Sequence, residues 1–337
     1  MKRVLALILA LISCITLLTA CGDSGEKEPE GPADRLDAVL DRSNDAGKFT
    51  MRFFDHILYE DGSTTVRRKV GDSVLITFPD GKLMLVDTAT PTAGPYVARY
   101  LESMGIDYLD YLLISHNHAD HTGGVAAVVS QVDVGQVFMT ADTSDEYGGT
   151  YYGKMMEAFQ NKNLPITHLW EGDKLEIGGV EITCYNPPKD YDFLAAPGGV
   201  EVRNNSSICL RFVYGESSFL MGGDLYSMGE ATLVAKYGSE LQSDVIKMNH
   251  HGYEATNTLT WVRAVQPKVA VATLLLDNMK DLAYSSVGSK NFFLFADGCV
   301  KVSSAGDGKY EVVTQFDRDT TQLNCENLPA DGVYKVE

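Results

Sequence analysis

Three histidines and an aspartate fall within six residues in His116-Asn117-His118-Ala119-Asp120-His121. Imidazole and carboxylate are the ligands a borderline cation such as zinc takes, and a tight turn at a strand end can present four of them from several directions. His116 and His118, two apart, can face one ion; Asp120 and His121 can face a second. Without a cation the same residues would repel whenever the imidazoles protonate, and would gain little in exchange. A second cluster, His250-His251, follows another apolar run and precedes Gly252, so five of the seven histidines lie in two strand-end settings. His56 and His168 have no such context and read as ordinary core or surface histidines. Between the clusters, Gly222-Gly223-Asp224 also closes an apolar run. A carboxylate there could bridge two ions, its oxygens spanning a separation of roughly 3.5–4 Å.

The surrounding pattern supplies strands to carry these residues. Residues 108–115 form an apolar run long enough to be a buried strand, and it leads straight into His116. Residues 73–78 and 83–86 read as a hairpin, with Asp80-Gly81 as the turn. Residues 218–221 and 245–248 are predicted strands leading to Asp224 and to the histidine pair. Helical spacing recurs over 95–104, 123–129, 151–161, 228–237 and 259–265, with further short strands at 50–58, 137–140, 166–185, 207–213 and 269–273. Hairpins interrupted by helices, with no internal repeat, fit an α/β sandwich better than a strictly alternating array.

The first segment speaks of compartment. Lys2 and Arg3 precede an apolar run that ends in Leu18-Thr19-Ala20-Cys21, a pattern similar to the lipobox of bacterial lipoproteins. The run is shorter than the ~20 residues of a membrane span. Residues 1–20 are therefore expected to be a signal peptide, Cys21 the lipidated residue joining the chain to membrane lipid, and 21–48 a flexible acidic tether. The remainder, 49–337, is expected to be one extracytoplasmic domain. Four cysteines fall in that body, Cys184, Cys209, Cys299 and Cys325, without CxxC spacing; they are either buried thiols or include one bridge, Cys299 to Cys325. The formal charge of −18 lacks the basic footprint that long nucleic acids require, so DNA is disfavoured as a partner.

The order Asp87, histidine cluster, Asp224, His250-His251 resembles the metallo-β-lactamase superfamily, and four blocks resemble its ComEC-like branch: LDYLLISHNHADHTGG (109–124), EGDKLEIGGVEITCYNP (171–187), NNSSICLRFVYGESSFLMGGD (204–224) and SDVIKMNHHGYEATNTLTWVRAVQPKVAVAT (243–273). The resemblance implies a four-layer αββα sandwich and two divalent ions, zinc foremost, with manganese as the other candidate. It also implies a ligand set: His116 and His118 for one ion, Asp120 and His121 for the other, Asp224 as the bridge, and one of His250 or His251 completing the second site. The working assignment gives the metal to His251 and leaves His250, with Asp120, to the chemistry. Asp87 resembles the family's supporting aspartate, which hydrogen-bonds to the site rather than ligating. Asn204 and Asn205 stand where many members place a third histidine, and Tyr253 stands where this branch more often has serine; all three are expected to touch substrate.

The expected activity is hydrolysis of a phosphoester or phosphodiester by metal-activated water, with a wall polymer or a small molecule as substrate. The branch also contains nuclease-like domains of DNA-uptake channels, so a nuclease is the alternative, and a non-catalytic, metal-stabilised binding lipoprotein is a third reading. The tyrosines from Tyr147 to Tyr152 (Tyr147, Tyr151 and Tyr152), with Tyr226 and Tyr253, either form an aromatic cage for a quaternary amine or are ordinary tyrosines, the second being favoured because such cages are sparse.

Overall fold

The computed structural model describes residues 34–58, 67–68, 71–144, 150–195, 200–252, 256–273, 281–316 and 333–336, all within the folded unit that begins at Asp34. Cys21, Tyr147, Tyr253 and Cys325 lie outside the described residues.

Two sheets face each other. One has nine strands, in the order Val333–Val336, Tyr310–Thr314, Val300–Ser304, Phe49–Phe53, Val74–Thr77, Leu83–Val86, Tyr108–Ile114, Asp133–Met139 and Ile166–His168. The other has seven: Lys290–Phe293, Val269–Ala272, Val245–Lys247, Ser217–Met221, Cys209–Tyr214, Val180–Asn186 and Lys174–Ile177. Side chains alternate across a strand, so a strand buried on both faces must be apolar at every position. Most strand positions here follow that rule, with Arg52 and Lys247 among the buried charged exceptions. Ile76, Met84, Leu113, Phe212, Phe219, Val245 and Val271 point between the sheets, into one buried cluster. Their neighbours Leu75, Leu85 and Leu112 meet the helices Gly94–Ser103, Val125–Gln131 and Tyr151–Asn161 on one outer face. Leu220, Ile246 and Ala270 meet Leu233 of Ser227–Tyr237, Trp261 and Val262 of Leu259–Val265, and Tyr284 of Asp281–Ser285 on the other. Three apolar layers between helices, sheet, sheet and helices make the four-layer αββα sandwich.

The structure corrects the expected tether. Asp34 to Lys48 is packed onto the fold: Leu36–Leu40 is helical, Val39 is fully buried, and Arg35 N–H donates to the Gln315 carbonyl at 2.8 Å. The reason is Arg52, a wholly buried strand residue whose guanidinium needs partners. It finds them in this segment and the neighbouring strand, donating to both Asp45 carboxylate oxygens at 2.7 and 2.9 Å and to the Val39 carbonyl at 2.8 Å. Cys184, Cys209 and Cys299 are buried free thiols, so Cys299 is not bridged.

One end of the sandwich collects the chemistry. Parallel pairing of Leu83–Val86 with Tyr108–Ile114, and of Ser217–Met221 with Val245–Lys247, brings Asp87, His116, Asp224 and His251 to the same rim from both sheets.

Candidate metal centre

His116, His121 and His251 each have one ring nitrogen engaged by the protein, which leaves the other for a ligand. Asp87 is the anchor. It accepts from Ser115 N–H and Ser115 Oγ–H, each at 2.7 Å, and from His121 Nδ1–H at 2.7 Å. Having given its proton to Asp87, the Ser115 hydroxyl accepts from His116 Nδ1 at 3.1 Å. His116 and His121 therefore present Nε2. His251 is held through Nδ1 by Asp72 Oδ1 at 2.9 Å and by Thr273 Oγ1 at 3.0 Å, so it too presents Nε2.

The presented atoms converge in two sets. His116 Nε2 and His118 Nδ1 stand 3.0 Å apart, with Asp224 Oδ2 3.8 Å from the former. In the other set, Asp224 Oδ2 lies 2.9 Å from His121 Nε2 and 3.3 Å from His251 Nε2, and Asp120 Oδ2 lies 3.1 Å from His251 Nε2. Donors 2.0–2.1 Å from a tetrahedral ion stand about 3.3 Å from one another. These edges fit. They also choose between the paired histidines: His251 is buried and faces the donors with Nε2, whereas His250 is partly exposed and its Nε2 lies 3.9 Å from Asp224. Both sets meet at Asp224 Oδ2, so the shared contact runs through one oxygen rather than two. Asp224 Oδ1 turns instead toward the Lys247 ammonium, 3.5 Å away.

Asp72 and Lys247 are missing from the sequence reading. Asp72 is close enough to His121, Asp224 and His251 to be counted among possible ligands. Its oxygens nevertheless meet the rear nitrogens, Nδ1 of His251 and, at 4.0 Å, Nδ1 of His121, which makes it a support rather than a ligand. Lys247 pairs with Asp72, donates to the Gly223 carbonyl at 2.9 Å and is almost wholly buried. The lysine inside the apolar run Val245-Ile246-Lys247-Met248 was the available signal, since a buried ammonium must have an acid beside it. Asp72 offers only a polar residue at the entry to a buried strand.

Charge fits a cation. Burial would raise the carboxyls of Asp72, Asp120 and Asp224, yet neighbouring imidazoles, and Lys247 for Asp72 and Asp224, hold all three below the usual range. Burial would lower His121 and His251, but the surrounding carboxylates pull both well above an ordinary imidazole. The cluster is thus poised to exchange protons for metal. His250 behaves differently: its burial, opposed by Asp224, brings it down to about 4.

Backbone strain marks the same places. Asp87 (φ 60°), His250 (φ 45°) and His251 (φ 59°) occupy the left-handed region, which side chains other than glycine seldom adopt.

Of the remaining expected residues, Asn204 is fully buried, with neither amide atom hydrogen-bonded. Asn205 is committed elsewhere: its Oδ1 accepts from Tyr226 N–H at 3.0 Å and Gly229 N–H at 3.1 Å, satisfying the start of Ser227–Tyr237. Tyr226 lies beside His250 with the rings tilted by 37° and their centroids 4.9 Å apart, while Tyr152 packs against the outer core, so the two do not form one cage. His168 hydrogen-bonds to the Thr140 carbonyl.

A metallo-β-lactamase superfamily model matches residues 66–184, which takes in His116 to His121 and ends before Asp224. Competence protein ComA of Neisseria gonorrhoeae is 32% identical over 205 residues, 60% of this chain and 25% of that protein. ComE operon protein 3 of Bacillus subtilis (strain 168) is 26% identical over 176 residues, 51% of this chain and 21% of that protein. The match thus spans about a quarter of the length of these curated relatives. Among solved structures, the metallo-β-lactamase fold protein YhfI from Bacillus subtilis covers 73% of this chain and 95% of its own at 13% identity, with a TM-score of 0.45. Family model and relatives agree: residues 66–184 carry a metallo-β-lactamase superfamily domain, and the similarity to the two competence proteins supports its ComEC-like branch.

Proposed function

We propose that this chain is a binuclear metal-dependent hydrolase of phosphodiesters, acting on a small molecule or a wall polymer outside the cytoplasm. The observation that carries the reading is the convergence of two donor sets on Asp224 Oδ2. His116, His118 and Asp224 would hold one ion, and Asp120, His121, His251 and Asp224 the other. Bound there, two divalent cations, zinc foremost, would make water acidic enough to attack phosphorus and would offset charge on the phosphoryl oxygens. Asp120, more exposed than the other ligands, is placed to orient that water. His250 enters as a neutral imidazole, because burial lowers it to about 4. It therefore serves as a hydrogen-bond donor to the ester oxygens rather than as a store of a proton. The test is the full-length chain in detergent, loaded with Zn²⁺ or Mn²⁺ and offered bis(p-nitrophenyl) phosphate, p-nitrophenyl phosphate, a lactone and a labelled oligonucleotide. Turnover of the diester that falls to background in both Asp120→Ala and Asp224→Ala is expected; full activity in either variant would reject the scheme.

The competence-protein relatives favour a second reading, a nuclease serving DNA uptake. A net charge of −18 weighs against it, and preference for the oligonucleotide in the same assay would establish it. Anchoring through Cys21 rests on the lipobox-like Leu18-Thr19-Ala20-Cys21, and no described helix is long and apolar enough to cross a membrane. Labelled palmitate should enter the native chain and not Cys21→Ala; equal labelling of both would refute the anchor.

A further inference from the structure

Glu230 lies on Ser227–Tyr237, six residues after the shared Asp224, and is completely buried. A carboxyl group so placed is costly unless every oxygen is used. Here Oε1 accepts from Asn249 Nδ2–H at 2.8 Å and from Asn257 N–H at 2.5 Å, and Oε2 accepts from Thr258 N–H at 2.8 Å. Asn249 and Asn257 are also tied to each other. Asn257 Oδ1 accepts from Asn249 N–H at 3.0 Å, and Asn257 Nδ2–H donates to the Asn249 carbonyl at 2.8 Å. Tyr284 Oη–H donates to the same Asn257 Oδ1 at 2.6 Å. These bonds close the two ends of the loop that carries His250 and His251.

We infer that Glu230 is a positioning residue for the second ion, clasping both ends of the histidine-pair loop so that His251 Nε2 is held against Asp120 and Asp224. The inference rests on the metal-centre reading above. Its physical basis is the strain in the loop: two consecutive non-glycine residues at positive φ persist only when their surroundings over-determine them. Directly after Asn249 the backbone turns left-handed twice, and within the turn the main-chain restraint is His250 N–H to the Gly223 carbonyl at 3.1 Å. Remove the clasp, and the turn can relax toward ordinary φ values. Relaxation would carry His251 away from Asp224, whereas His116 and His118, on the other sheet, would keep their places. Outer partners of metal ligands commonly matter by about 10- to 100-fold in metal affinity.

The experiment titrates Co²⁺ into the metal-free full-length chain in detergent, following visible absorption and chelator competition. The unaltered chain should take two ions. Glu230→Gln keeps the shape but replaces one accepting oxygen by a donor-only NH2, which cannot accept from Thr258 or, in the flipped orientation, from Asn249 and Asn257. It should bind the first ion as before and the second about 10-fold more weakly, with altered absorption in the second step. Leu233→Ala serves as the comparison, since it opens a cavity on the same helix while leaving every donor and acceptor of the clasp in the chain. It should lower Tm and leave both ions in place. Two ions of native affinity in folded Glu230→Gln overturn the inference, as does equal weakening of the second ion in Leu233→Ala. Should Glu230→Gln fail to fold, Asn249→Ala, which cuts one end of the clasp, is judged by the same criterion. If the unaltered chain takes up no Co²⁺ at all, the metal-centre reading itself falls, and that outcome appears before any variant is compared.

Discussion

Protonation in this molecule is decided by what stands behind each imidazole. His116, His121 and His251 are oriented by a hydroxyl or a carboxylate, but His56 is buried with neither ring nitrogen hydrogen-bonded. Burial lowers His56 to about 4, against a weaker upward pull from Asp72. The sign follows from linkage. Between its unfolded value near 6.5 and its folded value near 4, the unfolded chain binds the proton and the folded chain does not, so His56 costs stability progressively as pH falls through that window. The full loss is on the order of 3 kcal/mol, from ~1.4 kcal/mol per pKa unit. Replacing His56→Phe should flatten the fall in denaturation midpoint between pH 6.5 and 4; an unchanged slope would show that other groups set it. In the sequence His56 looked ordinary because nothing near it in the chain is polar in a patterned way. His116, His118, Asp120 and His121 were legible because all four sit within six residues. Asp72 and Lys247 were not, because their meaning lies in a contact between residues 175 positions apart.

The elements that flank the histidine cluster are set by close backbone approach. A Cβ on Gly124 would lie 2.0 Å from the Thr88 carbonyl oxygen and 2.7 Å from Gly94 Cα, so the start of Val125–Gln131 crosses the start of Gly94–Ser103 with no room for a side chain. Gly124→Ala should therefore cost about 1–3 kcal/mol, the usual range for overpacking, read as a lower urea midpoint at unchanged m. A midpoint equal to that of the parent would mean that the crossing is looser than described. Such crossings explain why glycine follows the cluster. The strand Tyr108–Ile114 was legible because its second half, Leu112 to Ile114, is an unbroken buried apolar run that leads into His116. The 3.6-residue spacing located Tyr151–Asn161 and Leu259–Val265 at their observed bounds. By contrast, Val200–Asn205 escaped notice: a six-residue helix with Asn205 turned toward the next helix has too little pattern of its own.

At the scale of the molecule, the segment from Asp34 to Lys48 is part of the fold because Arg52 requires it. Composition pointed the other way, since Gly, Pro, Asp and Ser are what a solvated linker also contains. Asp45→Ala would strand a buried guanidinium and should cost about 3–5 kcal/mol in denaturant unfolding. A loss below 1 kcal/mol would show that the segment is held by other contacts. Further consequences come from the way the donors divide: His116, His118, Asp120 and His121 ride on one sheet, and Asp224 and His251 on the other. A slip of one sheet over its partner by a fraction of an ångström would alter every donor separation that crosses the seam at once. The pocket is thus a vernier for sheet alignment, and a substitution in the shared core between the sheets, far from any donor, can be felt at the rim as a change in ion selectivity.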